Sequence, residues 1–170
     1  MALAQADFNR WVTEHGPALY RMAYRLVGDR HEAEDLLQEA FRSAWKSRKL
    51  FQADRGERAW LAAILRRRVV DHWRHRGSHR MRQMDAMVEP GAPGVDPLAN
   101  DYSDEMQSAL DGLAPELKET LLLVVVGELT HQEAAGVLDV PLGTVLSRVS
   151  RARAKLRDLL LAKAGTMKSS

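Results

Sequence analysis

The stretch LTHQEAAGVLDVPLGTVLSRVSRARAKLRDLLL, residues 129–161, decides the fold. Thr130 is a favourable N-cap, and Glu133 three residues later can complete a capping box. Apolar residues then recur at helical spacing. Those predicted to face inward are Ala134, Ala135 and Leu138. The segment is therefore predicted to begin with a short, capped helix.

A turn is predicted over residues 139–143, because Pro141 interrupts the helical hydrogen bonds. Thr144 is predicted to cap a second helix, whose inward residues are Val145, Val149 and Leu156. Two short helices with a tight turn predict a helix-turn-helix at residues 130–159, with the second helix in a DNA major groove. A solvated basic face on an ordinary helical hairpin is the alternative interpretation.

Charge is unevenly distributed along the chain, although the net charge is only +2. Residues 28–39 contain five acids and one arginine. Residues 66–82 contain seven arginines, and residues 144–157 contain five basic residues and no acid. Two separate basic stretches predict two contacts with a polyanion.

Helical periodicity also dominates the first half of the chain. Apolar residues recur at helical spacing over residues 19–26 and 33–45, and Asp29 can cap the second of these helices, with Glu32 as its capping-box partner. A third helix is predicted over residues 58–75. Its inward residues are expected to be Leu61, Ile64, Leu65, Val69 and Trp73. A loop is predicted over residues 52–57, between the second and third helices.

The fold class predicted from these patterns is all-α. Two small helical domains, residues 1–80 and 105–163, are expected to be joined by a flexible linker, with the helix-turn-helix in the second domain. The linker is predicted at residues 81–104, where VEPGAPGVDPLAND contains three prolines. A disordered tail is expected at residues 164–170. The sequence leaves open whether the two domains pack together.

Two surfaces of the first domain have two interpretations each. Arginines and tryptophans interleave in the third helix. In one interpretation the arginines bind phosphates and the tryptophans stack on bases. In the other the tryptophans belong to the core and the arginines face solvent. These residues are Trp60, Arg66, Arg67, Arg68, Trp73, Arg74 and Arg76. The acidic stretch at residues 28–39 could dock a basic partner protein or simply face solvent.

No catalytic constellation is found in the sequence, so we expect neither enzymatic activity nor a cofactor. A metal site at His72, His75 and His79 is the alternative, but the chain contains no cysteine and these histidines lie among arginines. The longest apolar run, Leu121–Val126, is too short to cross a membrane, and the N-terminus lacks signal-peptide features. We therefore expect no membrane insertion and a cytoplasmic location.

Three segments of the chain resemble the extracytoplasmic-function group of sigma-70-type sigma factors. AEDLLQEAFRSAW (33–45) resembles the family's polymerase-docking helix, and RAWLAAILRRRVVDHWRHR (58–76) resembles its promoter-melting and minus-ten-reading helix. LAPELKETLLLVVVGELTHQEAAGVLDVPLGTVLSRVSRARAKLR (113–157) resembles its minus-thirty-five-reading domain. The resemblance implies a sigma factor that binds the clamp and flap subunits of core RNA polymerase and promoter DNA, under the control of an anti-sigma factor.

The resemblance also implies roles for particular residues. Those expected to bind core polymerase are Asp35, Leu36, Gln38, Glu39 and Arg42. Those expected at minus-ten DNA, with a flipped base held near residues 54–57, are Asp54, Arg55, Arg67, Asp71 and Arg74. Those expected at minus-thirty-five DNA are Thr144, Leu146, Ser147, Arg148 and Arg151.

Two of these residues depart from the family pattern. Arg67 stands where the family often has asparagine, and Leu146 where it commonly has lysine or arginine. At Arg67 we expect an altered base preference in the minus-ten element, and at Leu146 an apolar contact with a thymine methyl group. The alternative function is a standalone helix-turn-helix regulator, which would usually bind a palindrome as a dimer.

Overall fold

The computed structural model describes residues 3–82 and 104–169, and the secondary structure of those residues is helical, with no strand. The predicted all-α class is confirmed. The helices are α1 (Gln5–Val27), α2 (Arg30–Lys46), α3 (Glu57–Arg82), α4 (Asp104–Asp111), α5 (Pro115–Val125), α6 (His131–Leu138) and α7 (Leu142–Lys168). Two 3₁₀ turns, Arg48–Leu50 and Ala53–Arg55, join α2 to α3.

The first unit is a three-helix bundle of α1, α2 and α3. Helix α1 ends at Gly28, whose φ of 73° lies in the left-handed region that favours glycine. Asp29 then caps α2 by accepting a 2.9 Å hydrogen bond from the Glu32 backbone N–H, as predicted. The Glu32 side chain, predicted to complete a capping box, instead lies 3.3 Å from His72 and 3.0 Å from Arg76 of α3. The predicted inward stripe of α3 is confirmed as core; its most deeply buried members are Leu61, Leu65 and Val69.

Helix α3 is longer than predicted, since it runs to Arg82 and not to about residue 75. Residues 81 and 82 therefore belong to a helix, as does residue 104 at the start of α4. The remainder of the predicted linker, residues 83–103, lies outside the described residues. Helix extension past residue 80 is consistent with the arginine and methionine there, which have high helix propensity.

The second unit contains α4 to α7, and its helix-turn-helix begins as predicted. Thr130 and Glu133 form the complete capping box at the start of α6. Asp139 ends α6 in the left-handed conformation, with φ of 55°. Helix α7, however, begins at Leu142 and not after Thr144, because the extended Pro141 serves as N-cap and tolerates its missing N–H at a helix start.

The end of α7 also differs from the prediction of a disordered tail at residues 164–170. The helix continues to Lys168. Residues 162–164 are alanine and lysine, which favour helix, and the single Gly165 costs only about 1 kcal/mol against this preference.

The two units pack against each other, which the sequence had left open. Helix α1 contacts α5, and α3 contacts α6. The buried apolar side chains of both units form one continuous cluster, which includes Leu65 and Val69 of the first unit and Leu123 and Val145 of the second. In the described part of the chain no helix has the length and apolarity that a bilayer crossing requires.

Candidate polymerase and nucleic-acid interfaces

The outer side of α2 carries four of the five residues predicted to bind polymerase. Asp35, Gln38, Glu39 and Arg42 are all exposed and recur at spacings of three and four, which places them on one side of the helix. Leu36 differs, because it is only 5% exposed and packs in the core. It therefore supports the helix from beneath and is not presented to a partner.

An open groove of about 400 Å³ runs beside this surface, between α1 and α2. Its lining residues are Phe8, Gln38, Phe41, Arg42, Trp45 and Lys46. The rings of Phe8 and Trp45 lie 5.1 Å apart, and those of Phe8 and Phe41 meet edge to face at 6.3 Å. The polar stripe of α2 is thus continuous with an aromatic depression.

The loop before α3 presents Asp54 and Arg55 to solvent on a 3₁₀ turn. Phe51 anchors this loop, since its ring lies 4.8 Å from that of Trp11 and 5.3 Å from that of Trp60. These three rings hold the base of the loop and leave its tip exposed. The core interpretation of Trp60 is therefore supported, and Trp73 likewise packs against the core while half-buried.

Arg67, Asp71 and Arg74 form an exposed stripe on α3. Their spacings of four and three residues place them within one side of the helix. A stripe of two guanidinium groups around one carboxylate can contact phosphates and offer an acceptor to a base.

Three further arginines of α3 have partners within the protein, which favours a structural role for them over the interpretation as phosphate contacts. Arg68 donates a 2.7 Å hydrogen bond to Ser43 Oγ of α2. Arg76 lies 3.0 Å from a carboxylate oxygen of Glu32. Arg66 forms an ion pair with Glu119 of the second unit.

Helix α7 divides into a buried side and an exposed side. Val145 and Ala152 are fully buried and Val149 is 5% exposed, which fixes the helix against α6. Leu146, Ser147 and Arg151 are exposed, and Thr144 and Arg148 are half-buried. The five residues predicted to meet minus-thirty-five DNA thus lie on the first three turns of α7, around its outer side.

Two leucines interrupt the polar surface at the start of α7. Leu142 is 39% and Leu146 is 48% exposed. They are four residues apart and therefore neighbours on the helix surface. Apolar groups at the N-terminal end of a recognition helix can contact thymine methyl groups.

Sequence reasoning missed a buried polar network at the start of α3. His15 is 8% exposed, and its Nε2 lies 2.9 Å from Glu57 Oε2. Its Nδ1 accepts a 3.4 Å hydrogen bond from Arg58. His15 falls on the same helical stripe as Trp11 and Leu19, and that position was the signal that it would be buried.

This network also bears on metal binding. Glu14, His15 and Glu57 bring possible ligand atoms within 4.8 Å of one another. A guanidinium nitrogen of Arg10 lies 4.0 Å from Glu57 Oε1, and Arg58 donates to His15 Nδ1, so cationic groups already approach two of these three residues and make the cluster a poor cation site. Of the histidines proposed for a metal, His72 lies 3.3 Å from Glu32, and the side chain of His79 is outside the described residues.

The two units match two parts of one family. Residues 11–79 match Sigma-70 region 2, and residues 103–156 match Sigma-70, region 4. The chain is 33% identical over 147 residues to the ECF RNA polymerase sigma factor EcfG of Rhodopseudomonas palustris, with 85% of this chain and 80% of the relative covered. The present chain belongs to the extracytoplasmic-function sigma factors of the sigma-70 family.

Other sigma factors are similar over most of this chain. The ECF RNA polymerase sigma factor SigE of Mycolicibacterium smegmatis is 36% identical over 163 residues; the match covers 92% of this chain but only 63% of that relative's length. A sigma factor RpoE from Bartonella quintana, solved in complex with the anti-sigma factor NepR, superposes with a TM-score of 0.79 at 30% identity. That match covers 91% of this chain and 96% of RpoE.

Proposed function

We propose that this sigma factor binds core RNA polymerase through α2, reads and melts minus-ten DNA with α3 and its preceding loop, and reads minus-thirty-five DNA with α7. The observation that carries the proposal is the presence of three separate exposed surfaces, one on each of these helices, in a chain that matches both sigma-70 regions in order. A standalone regulator would need only the helix-turn-helix, and the match to region 2 disfavours it.

Each surface has a distinct task in this proposal. The stripe of Asp35, Gln38, Glu39 and Arg42 binds the clamp, and the neighbouring aromatic groove can take an apolar side chain of the same partner. The loop at Asp54 and Arg55 receives a flipped base, and capture of that base offsets the few kcal/mol that unstacking costs.

Polymerase is required because each DNA contact alone is weak. Binding to core places both reading units on one template, so the second contact forms at a high effective concentration. The catalytic steps belong to the polymerase, and we propose that the sigma factor catalyses none itself. Its place of action is the cytoplasm, where polymerase and promoter DNA are found.

We further propose control by an anti-sigma factor. RpoE was solved with NepR, and CnrH, which superposes on this chain with a TM-score of 0.69 at 30% identity, was solved with the cytosolic domain of CnrY. An inhibitor that covered the α2 stripe and its groove would block access of polymerase to the same residues. Competition between purified core and candidate inhibitors for the labelled sigma factor tests this regulation.

Run-off transcription with core polymerase on a promoter library tests the main proposal. The expected result is transcription from a subset of promoters that share two elements. Asp35→Ala should weaken core binding in a pull-down and leave binding of the free protein to minus-thirty-five DNA unchanged, whereas Arg151→Ala should do the reverse. Asp158→Ala, an exposed acid late in α7, is the matched control. Loss of only DNA binding in both variants would contradict the proposed division of tasks.

A further inference from the structure

Helix α1 carries none of the three proposed binding surfaces, yet it contacts both ends of the loop before α3. Two of its side chains make these contacts, Trp11 and His15. They are four residues apart and therefore lie on one side of the helix. Trp11 is 3% and His15 is 8% exposed, so neither is presented to an external partner.

Trp11 holds the beginning of the loop. Its ring lies 4.8 Å from that of Phe51, which follows the first 3₁₀ turn, and 6.3 Å from that of Trp60 in the first turn of α3. Both contacts are edge to face, an arrangement that adds attraction to the burial of the rings. The loop at Phe51 is thus fixed against α1.

His15 holds the end of the loop. Its Nε2 lies 2.9 Å from Glu57 Oε2, and its Nδ1 lies 3.4 Å from Arg58 Nε. A carboxylate only accepts and a guanidinium only donates, so a neutral ring with its proton on Nε2 satisfies both neighbours. These neighbours are the first two residues of α3, and the ring therefore fixes the start of that helix against α1. Arg58 also lies 3.1 Å from a carboxylate oxygen of Glu128 in the second unit.

The loop itself is exposed between these two anchors. Residues 52–55 are exposed, and local backbone hydrogen bonds close the 3₁₀ turn Ala53–Arg55. Gly56, directly before Glu57, has a φ of 75°, in the left-handed region that favours glycine. A shift of the Glu57 backbone is passed to the loop at this residue. The orientation of the loop tip thus depends on the anchors at its two ends.

We infer that His15 is a positioning residue for base capture: through Glu57 it holds Asp54 and Arg55 in the orientation that receives a flipped base. A loop that is already ordered loses less conformational freedom when a base enters it, so capture is tighter and faster. The inference rests on the proposed function, because the loop needs a fixed orientation only if it captures a base. His15 itself is buried and does not touch the DNA.

Fluorescence of 2-aminopurine measures base capture in the holoenzyme. Each adenine of the non-template minus-ten strand is replaced in turn by this analogue, whose emission rises when it leaves the base stack. With the unaltered chain, one position should show a rise on promoter melting. His15→Leu keeps an apolar side chain in the buried site but removes both hydrogen bonds, and it should slow that rise about 5- to 10-fold. Binding to core polymerase and to minus-thirty-five duplex DNA should stay unchanged.

Two variants distinguish positioning from packing. His15→Gln offers an amide donor and an acceptor in place of the two ring nitrogens, and it should restore the rate to within about 2-fold of the unaltered chain. Leu19→Val is the matched control, since Leu19 is 1% exposed one turn further along the same stripe of α1. It should lower Tm through lost packing and leave the fluorescence rise unchanged.

Hydrogen exchange in the free chain follows the loop without DNA or polymerase. The Arg55 and Gly56 N–H groups, which donate to backbone carbonyls of the 3₁₀ turn, should exchange about 5- to 10-fold faster in His15→Leu than in the unaltered chain. His15→Gln should exchange like the unaltered chain. This result shows whether His15 orders the loop, independently of base capture.

The outcomes separate the role of His15 from the proposed function. An equally fast fluorescence rise in His15→Leu and the unaltered chain would overturn the positioning role, as would His15→Gln that is no faster than His15→Leu. Equal slowing by Leu19→Val would also overturn it, because any loss of packing would then suffice. If the unaltered holoenzyme gave no rise at any position, base capture in the proposed function would be contradicted. The role of His15 in capture would fall with it, while the exchange result would still stand.

Discussion

Leu146 offers the sharpest test of how this sigma factor reads minus-thirty-five DNA. The side chain is 48% exposed on the outer side of α7. Complete burial of a leucine from water contributes about 1.5–3 kcal/mol, so burial of the remaining half against a thymine methyl group would contribute about 0.7–1.4 kcal/mol. Alanine keeps part of this contact, and Leu146→Ala should therefore weaken holoenzyme binding about 2- to 5-fold.

The assay compares promoters that differ by one methyl group. Each thymine of the minus-thirty-five element is replaced in turn by deoxyuridine, and holoenzyme binding is followed by fluorescence anisotropy. With the unaltered chain, one replacement should weaken binding about 3- to 4-fold, since a buried methyl group contributes about 0.8 kcal/mol. With Leu146→Ala, the same replacement should change binding less than about 2-fold.

The control is Leu161→Ala, an exposed leucine of the same helix, which is 64% exposed and about 22 Å further along. It should leave binding to both kinds of promoter unchanged. If Leu146→Ala weakened binding equally on thymine and uracil promoters, or did not weaken it at all, the methyl contact would be refuted.

Substitutions at four further positions probe the fold and α3. Thr130→Ala should lower the free energy of unfolding by about 1 kcal/mol in urea titration, because it removes the cap of α6, whereas Thr130→Ser should retain it. Gly28→Ala should lower the free energy of unfolding by about 1–2 kcal/mol and Tm by about 2–8 °C, because alanine is strained at a φ of 73°. No atom lies within 4 Å of the added Cβ, so backbone strain is the sole cause, and an unchanged Tm would contradict it. Arg67→Ala should weaken minus-ten DNA binding and leave Tm unchanged. Arg68→Ala should lower Tm, because it removes the hydrogen bond to Ser43 of α2. If both variants weakened DNA binding equally and neither changed Tm, this distinction would be refuted.

Much of the helical fold could be predicted because local signals and burial agree in this chain. The start of α6 followed from Thr130 and Glu133, and its end from the turn predicted at residues 139–143, since these signals all lie within a few residues of the helix. The start of α7 was misplaced because Thr144 and Pro141 are both acceptable near a helix N-terminus, and only the tertiary position of the turn selects between them.

The candidate surfaces were predictable as stripes but not as individual contacts. Helical spacing alone placed Asp35, Gln38 and Glu39 together and put Leu36 in the apolar repeat, where the structure buries it; the expectation that Leu36 contacts polymerase came only from the family resemblance. Helical spacing could not show that Arg66 faces Glu119, because that pair is 53 residues apart and depends on how the two units pack. Long-range ion pairs have no local signature in a sequence.

The arginines of α3 point in different directions, and this has a consequence for how such a protein can change. At about 100° per residue, Arg66 lies about 100° and Arg58 about 180° around the helix from Arg67. In the proposed function the side with Arg67, Asp71 and Arg74 meets minus-ten DNA, and substitutions there can alter which bases are preferred without touching Arg58 and Arg66, which join the units. New promoter preferences could accumulate in descendants, or be introduced by engineering, while the contacts between the units are inherited unchanged.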